Sequence, residues 1–296
     1  MKNEPFSNRH PWLSRKLKKK LWSFLGWMNL SSFTFHLAGS DLKFSVNPKD
    51  DSVGKFIFLE GYELETLLFC SRFISEGDQV FDIGANIGYF TVLFSAYVGN
   101  SGEVHSFEPS RREFLHLCKN LSINKIRNVF LNQVAVSDQN GFTELNTLDD
   151  DCFGAYNSIN DVTHQKVRQA RTHIEVTRRI CIDSYLEVFP ERKPSLMKID
   201  VEGHEKQVLE GMKSLLISSN APCLVVEVCE GTHQNEQDSA QSLSYYLKKF
   251  DYELFSPDNR GNLKPFVLGK SLNCIALKPI HSQRLLERKI EFSTIN

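Results

Sequence analysis

No stretch of the 296 residues reaches the ~20 consecutive apolar positions of a membrane-spanning helix. The run Leu21 to Met28 follows Lys18-Lys19-Lys20 and loosely imitates a signal sequence, but no small-x-small cleavage site follows it, so it reads as mature chain. Paired cysteines are missing as well. The seven cysteines (Cys70, Cys118, Cys152, Cys181, Cys223, Cys229 and Cys274) are odd in number, scattered, and never spaced Cys-x-x-Cys. That argues against a zinc knuckle or a disulfide framework and for a reducing, cytoplasmic compartment with the thiols acting as small buried hydrophobes. There is no internal repeat and no excess of one charge. The formal net charge is −1, which lacks the electrostatic footprint of a nucleic-acid partner.

What is present is an ordinary globular composition, 41% hydrophobic and 24% charged, long enough for one large domain with additions. The charge is unevenly placed: between Pro5 and Ser40 there are six Lys/Arg and no Asp or Glu. Residues 1–40 therefore read as a basic, aromatic leader. Within 12–28, Leu13, Leu17, Leu21, Phe24, Leu25 and Met28 recur at helical spacing, with Arg15, Lys16, Lys18, Lys19 and Lys20 mostly off that face. Such a helix suits a capping or homo-oligomer contact with a solvated basic face or, as the alternative, peripheral contact with an acidic membrane. The main domain is expected over 41–280 and a tail over 281–296.

Leu42–Val46 and Phe56–Leu59 look like short strands, and 63–74 like a helix. Strands and helices then alternate: strand Val80–Ile83, helix 89–98, strand Glu103–Phe107, helix Arg111–Asn120, strand Val129–Gln133. After a break they resume with strand Leu196–Ile199, helix 204–218, strand Leu224–Val228, helix Ser239–Lys249 and strands Tyr252–Phe255 and Leu272–Leu277. This alternation predicts a parallel sheet with helices on both faces. Between the last two strands Asp258-Asn259-Arg260-Gly261 signals a turn rather than a helix, so an antiparallel strand is expected at the sheet edge. The polar stretch 149–178, with Asp149-Asp150-Asp151, reads as an insertion over the site.

The chemistry concentrates in three places. Val80-Phe81-Asp82-Ile83-Gly84-Ala85-Asn86-Ile87-Gly88 is a strand running into a glycine turn ahead of a helix, a corner where α/β sheets bind nucleotide-like ligands. Glu108 closes the next strand twenty residues beyond Gly88, where a carboxylate can accept ribose hydroxyls. A dinucleotide fingerprint would carry a glycine at Asn86. Here Asp82 precedes the turn instead, and a carboxylate there disfavours a pyrophosphate and favours a cation such as the sulfonium of S-adenosylmethionine. In the third place, Asp200 ends a strand in Met197-Lys198-Ile199-Asp200-Val201-Glu202-Gly203-His204-Glu205, and Glu227 interrupts the apolar run Val225-Val226-Glu227-Val228. A buried acid there needs a partner. Glu202 or Glu205 could instead complement a helix N-terminus, and His204 could be an exposed helix residue.

With these blocks in hand, the chain resembles the FkbM family of S-adenosylmethionine-dependent methyltransferases. The likeness rests on VFDIGANIGYFT at 80–91, FEPS at 107–110, NVFLNQVAVSDQNG at 128–141 and MKIDVEGHEKQVLEGM at 197–212, and spans roughly 60 to 278. It implies a class I methyltransferase, or Rossmann-like, doubly wound fold, with a mostly parallel seven-stranded sheet and one antiparallel strand. It implies O-methylation, often of sugar hydroxyls in glycans or glycolipids. It puts Gly84, Asn86 and Gly88 around the methionine end of the donor, Glu108 on the ribose, and Val134 and Ala135 against the adenine. Asp200 would face donor and acceptor. In related sugar methyltransferases acids at this position and on the next strand hold Mg²⁺, which here makes Asp200 and Glu227 the ligands, although the usual neighbouring acid is replaced by Val228.

The expected reaction is in-line methyl transfer, with Asp200 and His204 handling the proton and Glu202 or Glu227 orienting them. A non-sugar small molecule or a peptide stays open as acceptor. So does a non-catalytic S-adenosylmethionine-binding protein, with a nicotinamide oxidoreductase further off.

Overall fold

The computed structural model describes residues 14–37, 39–49, 53–148, 172–228, 240–269 and 273–292. In chain order the elements are α1 (Arg15–Trp27), β1 (Phe33–His36), β2 (Lys43–Val46), α2 (Val53–Phe58), α3 (Leu64–Phe73), β3 (Gln79–Ile83), α4 (Tyr89–Val98), β4 (Glu103–Phe107), α5 (Arg111–Ile123), β5 (Val129–Asn132), β6 (Ala135–Val136) and β7 (Gly141–Leu148). They continue with β8 (Thr172–Ile180), α6 (Ile182–Val188), β9 (Leu196–Ile199), α7 (Glu205–Glu210), α8 (Lys213–Ile217), β10 (Cys223–Glu227), α9 (Ala240–Lys248), β11 (Glu253–Pro257), β12 (Leu263–Pro265), β13 (Asn273–Leu277) and α10 (Ser282–Glu287).

The fold is the expected doubly wound α/β architecture with a mostly parallel sheet. Its central sheet runs β12-β11-β13-β10-β9-β3-β4-β5. The strands β5, β4, β3, β9 and β10 are mutually parallel. The sheet has eight strands where seven are expected. The antiparallel strand β13 is not at the edge but inserted between β10 and β11, and β12 caps the edge by pairing antiparallel with β11. The turn at 258–261 makes the β11–β12 hairpin, with Asp258 accepting from the Arg260 and Asn262 backbones through Oδ1.

Both faces of this sheet are covered, which is why its strands read as near-continuous apolar runs. Alternate residues serve opposite layers: Val80, Val104 and Val225 pack under α3 and α4, while Phe81, Met197, Leu224 and Val226 pack under the other helices. Chain order reverses at β3, with β4 and β5 laid down on one side and β9 and β10 on the other. Open α/β sheets bind ligands beyond the carboxyl ends of the strands at such a switch point.

Three local expectations are corrected. Phe56–Leu59 is not a strand: Val53, Ile57 and Phe58 bury one face of α2. A four-residue apolar run satisfies either period, and tertiary packing decides. The single helix over 204–218 is two, broken around Gly211, where a Cβ would lie 2.0 Å from the Ser137 carbonyl oxygen. The stretch 149–178 is only partly insertion. Residues 172–178 belong to β8, which pairs with β7 over its full length and with β6 in a separate three-stranded sheet. Residues 149–171, and with them Cys152, lie outside the described residues, as does Cys229. Among the described residues no helix is long and apolar enough to cross a membrane.

Candidate functional site

The turn after β3 is built from left-handed backbone. Gly84, Asn86 and Gly88 have φ of +80°, +50° and +87°. A Cβ on Gly84 would sit 1.7 Å from the Asp200 carbonyl oxygen, so only glycine lets the turn pack backbone against backbone on the end of β9. Asn86 tolerates the left-handed region, and its Oδ1 accepts from Ile87 N at 2.8 Å. Glu108, at the end of β4, straps the turn down: its Oε2 accepts from Asn86 N at 2.8 Å and its Oε1 from Ser110 N at 2.9 Å. Burial, with the nearby Glu113 adding to it, pushes the Glu108 carboxyl up to about 8 even though the two N–H donors oppose the shift.

Facing this turn is a cluster of acids around one buried ammonium. Lys198 lies in the middle strand β9, opposite Asp82 of β3, and its Nζ donates to Asp200 Oδ2 at 2.5 Å. It also sits 4.5 Å from the Phe90 ring centroid. Burial disfavours the ammonium, but Asp200, Glu63 and Asp82 outweigh it and raise the Lys198 pKa. Asp82 is buried, its Oδ2 accepting from the Thr91 hydroxyl at 2.5 Å, and burial raises its pKa despite Lys198. Asp200 moves the other way. Burial works against its charge, yet Lys198 and a hydrogen bond to Glu227 hold it below the usual carboxylate range. Glu202 takes a left-handed conformation at φ +51°, and burial together with Asp200 raises its pKa well above the usual carboxylate range. Carboxylate oxygens of Asp200, Glu202 and Glu227 lie within 4.8 Å of one another.

These elements line a cleft at the switch point. Of the residues expected at the donor, Gly84, Asn86, Glu108, Val134, Ala135 and Asp200 line it, together with Glu202. Asp82 lines a smaller adjoining cavity beneath, shared with Lys198. Gly88 lines neither: it starts α4, with Leu117 against its backbone. Glu227 reaches Asp200 from the neighbouring strand.

His204 is not among the residues lining the cleft. It caps α7 off the cleft lining, and its Nε2 lies 2.9 Å from the Ser137 hydroxyl. The structural role weighed for the acids falls to Glu205, whose Oε1 accepts from Val201 N and Gly203 N, both at 3.1 Å. Sequence reading missed Lys198, Glu63 and Tyr62. Glu63 accepts from Asn273 Nδ2 at 2.6 Å near the cluster, and Tyr62 lines the cleft. Lys198 carried a usable signal, a lysine inside a strand buried on both faces. Glu63 and Tyr62 carried none.

The site's geometry can be set beside known proteins. The family described as the methyltransferase FkbM domain matches residues 82–254, more than half of the chain. The chain belongs to this family. Residues 82–254 are accordingly a methyltransferase domain. It is 30% identical over 156 residues to the hexuronic acid methyltransferase AglP of Haloferax volcanii, a match covering 53% of this chain and 58% of that protein. The chain thus spans a little over half the length of this curated relative. Among solved structures it is similar to an S-adenosylmethionine-dependent methyltransferase from Aquifex aeolicus, at 10% identity and a TM-score of 0.40, covering 72% of this chain and 88% of the other. It is equally similar to an rRNA methylase from Streptococcus thermophilus, at 10% identity and a TM-score of 0.40, covering 71% and 91%. At that distance neither bears on the acceptor.

Proposed function

We propose that this enzyme methylates a hydroxyl of a sugar, glycan or glycolipid, with S-adenosylmethionine bound in the cleft. The observation that carries the donor assignment is the charge of the lining. The cleft and the cavity beneath it present the carboxyls of Asp82, Glu108, Asp200 and Glu202 against one lysine, Lys198. A cationic sulfonium and ammonium favour the ionised form of these raised carboxyls, whereas a pyrophosphate would oppose it. The acceptor class is supported by the hexuronic acid relative.

In this reading Glu108 accepts ribose hydroxyls, Gly84 and Asn86 give the methionine end close access to backbone, and Val134 and Ala135 wall the adenine. Asp200, ionised and at the reaction edge, accepts the acceptor hydroxyl's proton, with Glu227 and Glu202 setting its hydrogen bonds. Aligning oxygen, methyl carbon and sulfur can supply on the order of 7–11 kcal/mol. A placed base adds roughly 10²–10⁴-fold. Carboxylates at the reaction edge have no part in a protein that only binds the donor.

The oxygen set of Asp200, Glu202 and Glu227 also fits a hard divalent cation such as Mg²⁺. Two carboxyls hydrogen-bonded to each other hold a proton that a cation could replace. When bound, such an ion lowers the pKa of a hydroxyl it touches.

The test is transfer of labelled methyl from S-adenosylmethionine to glycans bearing hexuronic acids, neutral glycans, and hydroxylated small molecules and peptides. Label in the glycan fractions is expected. Label confined to the non-sugar acceptors would overturn the acceptor class.

A further inference from the structure

Helix α1 is amphipathic twice over. Ser14 starts it, its hydroxyl accepting from Leu17 N, and one face then packs on the domain. Lys18, Trp22 and Leu25 are buried there, with Lys18 paired to Glu60 and the Trp22 ring 5.5 Å from Phe58. A second apolar strip lies beside that face, and nothing covers it among the described residues. Leu17, Phe24, Trp27 and Met28 are 49%, 52%, 81% and 50% exposed. At 3.6 residues per turn Leu17, Phe24 and Met28 share one narrow stripe with Trp27 beside it. The Phe24 and Trp27 rings stack at 5.9 Å while facing outward. Exposed Lys16 and Lys20 border the stripe on its Trp27 side, Arg15 and Lys19 stand further round, and the helix carries no acid.

A second copy of the chain fits this face poorly. A twofold contact would set the two lysine rims against each other. A bilayer bearing anionic headgroups satisfies both features: the ring and aliphatic tips enter the interface while the lysines meet the headgroup charge. Tryptophan is suited to that depth, with an apolar body and one N–H to leave in the wet layer.

We propose that α1 is an interfacial helix that seats the enzyme on an anionic lipid bilayer. The seat is close to the site. The Arg15 guanidinium approaches Gly61, whose chain neighbour Tyr62 lines the cleft, as does Val53 of α2. The proposal stands on the helix alone and is independent of the acceptor's identity.

The experiment is co-sedimentation of the full chain with vesicles of phosphatidylcholine containing phosphatidylglycerol, and with phosphatidylcholine alone, at low and high salt. Binding to the anionic vesicles that weakens with salt is expected. At least tenfold weaker binding is expected for F24S/W27S and for K16Q/K20Q, with thermal melting and S-adenosylmethionine affinity unchanged because none of the four residues touches the cleft. No binding to anionic vesicles at low salt would overturn the proposal. So would variants that bind like the wild type, or a self-association that F24S/W27S abolishes while vesicle binding persists.

Discussion

Glu108 joins the two strands of the donor half of the cleft by accepting from the backbone N–H of both Asn86 and Ser110. Its carboxyl, pushed up to about 8, is largely protonated in the empty site at neutral pH. Ribose hydroxyls donate to the ionised form, so donor binding should release a proton. Affinity should rise with pH up to about 8 and then level. Calorimetry in two buffers of different ionisation enthalpy reads the proton count directly, and Glu108→Gln should both weaken binding and flatten its pH dependence. Proton uptake on binding would sink the ribose role.

Lys198 poses the complementary case. It is the ammonium on which Asp82 and Asp200 both depend. Lys198→Met should cost about 3–5 kcal/mol in urea unfolding, because it strands buried carboxylates. Those carboxyls then have folded pKa values above their unfolded ones. Stability is accordingly retained below the unfolded carboxylate range and lost as pH rises, so the variant's deficit should be larger at pH 8 than at pH 5. An equal deficit at both would mean that Lys198 acts by packing. The same residue shows how far the site was legible. An acid inside an apolar strand was a signal at Glu227, and the identical argument applied to Lys198 in Leu196–Ile199. The direction of His204 was not legible, since a side chain at a helix start can face either the cleft or, as here, Ser137.

At the scale of elements, the short helix α8 is held from outside. Asp183 of α6 accepts from Ser214 N through Oδ2 at 2.9 Å and from Leu215 N through Oδ1 at 3.1 Å. It does for α8 what a capping residue ordinarily does within one helix. Asp183→Ala should lower stability by about 0.5–2 kcal/mol in urea or thermal unfolding and leave donor affinity unchanged. A loss of donor affinity of the same size would show that α8 is coupled to the cleft. The doubly buried strands β3, β4, β9 and β10 were readable because burial on both faces forces unbroken apolar runs. The hairpin β7–β8 was not. In it Leu145 and Thr147 face inward, and the opposite face mixes Phe142 and Val176 with charged residues, so alternation hides in a polar segment. Likewise β13 lies inside the sheet rather than at its edge. Chain order alone cannot place a strand that enters between two earlier ones.

Across the whole molecule, a net charge of −1 conceals a segregation: cations gather on α1 and carboxyls gather at the switch point between β3 and β9. That segregation gives the account its shape, with a cationic donor drawn to an acidic cleft and acids left over at the edge where the acceptor must arrive. Gly84→Ala should empty the cleft of donor, because the added methyl has to displace the Asp200 carbonyl. A thermal shift with S-adenosylmethionine, present in the wild type and absent in this variant, checks it. The most direct test of the proton role is single-turnover transfer by Asp200→Asn enzyme preloaded with labelled S-adenosylmethionine, using acceptors that the wild type methylates. The account predicts that donor still binds, with affinity reduced far less than transfer, and that transfer is abolished. Transfer at the wild-type rate, or a loss of donor affinity equal to the loss of transfer, would contradict it.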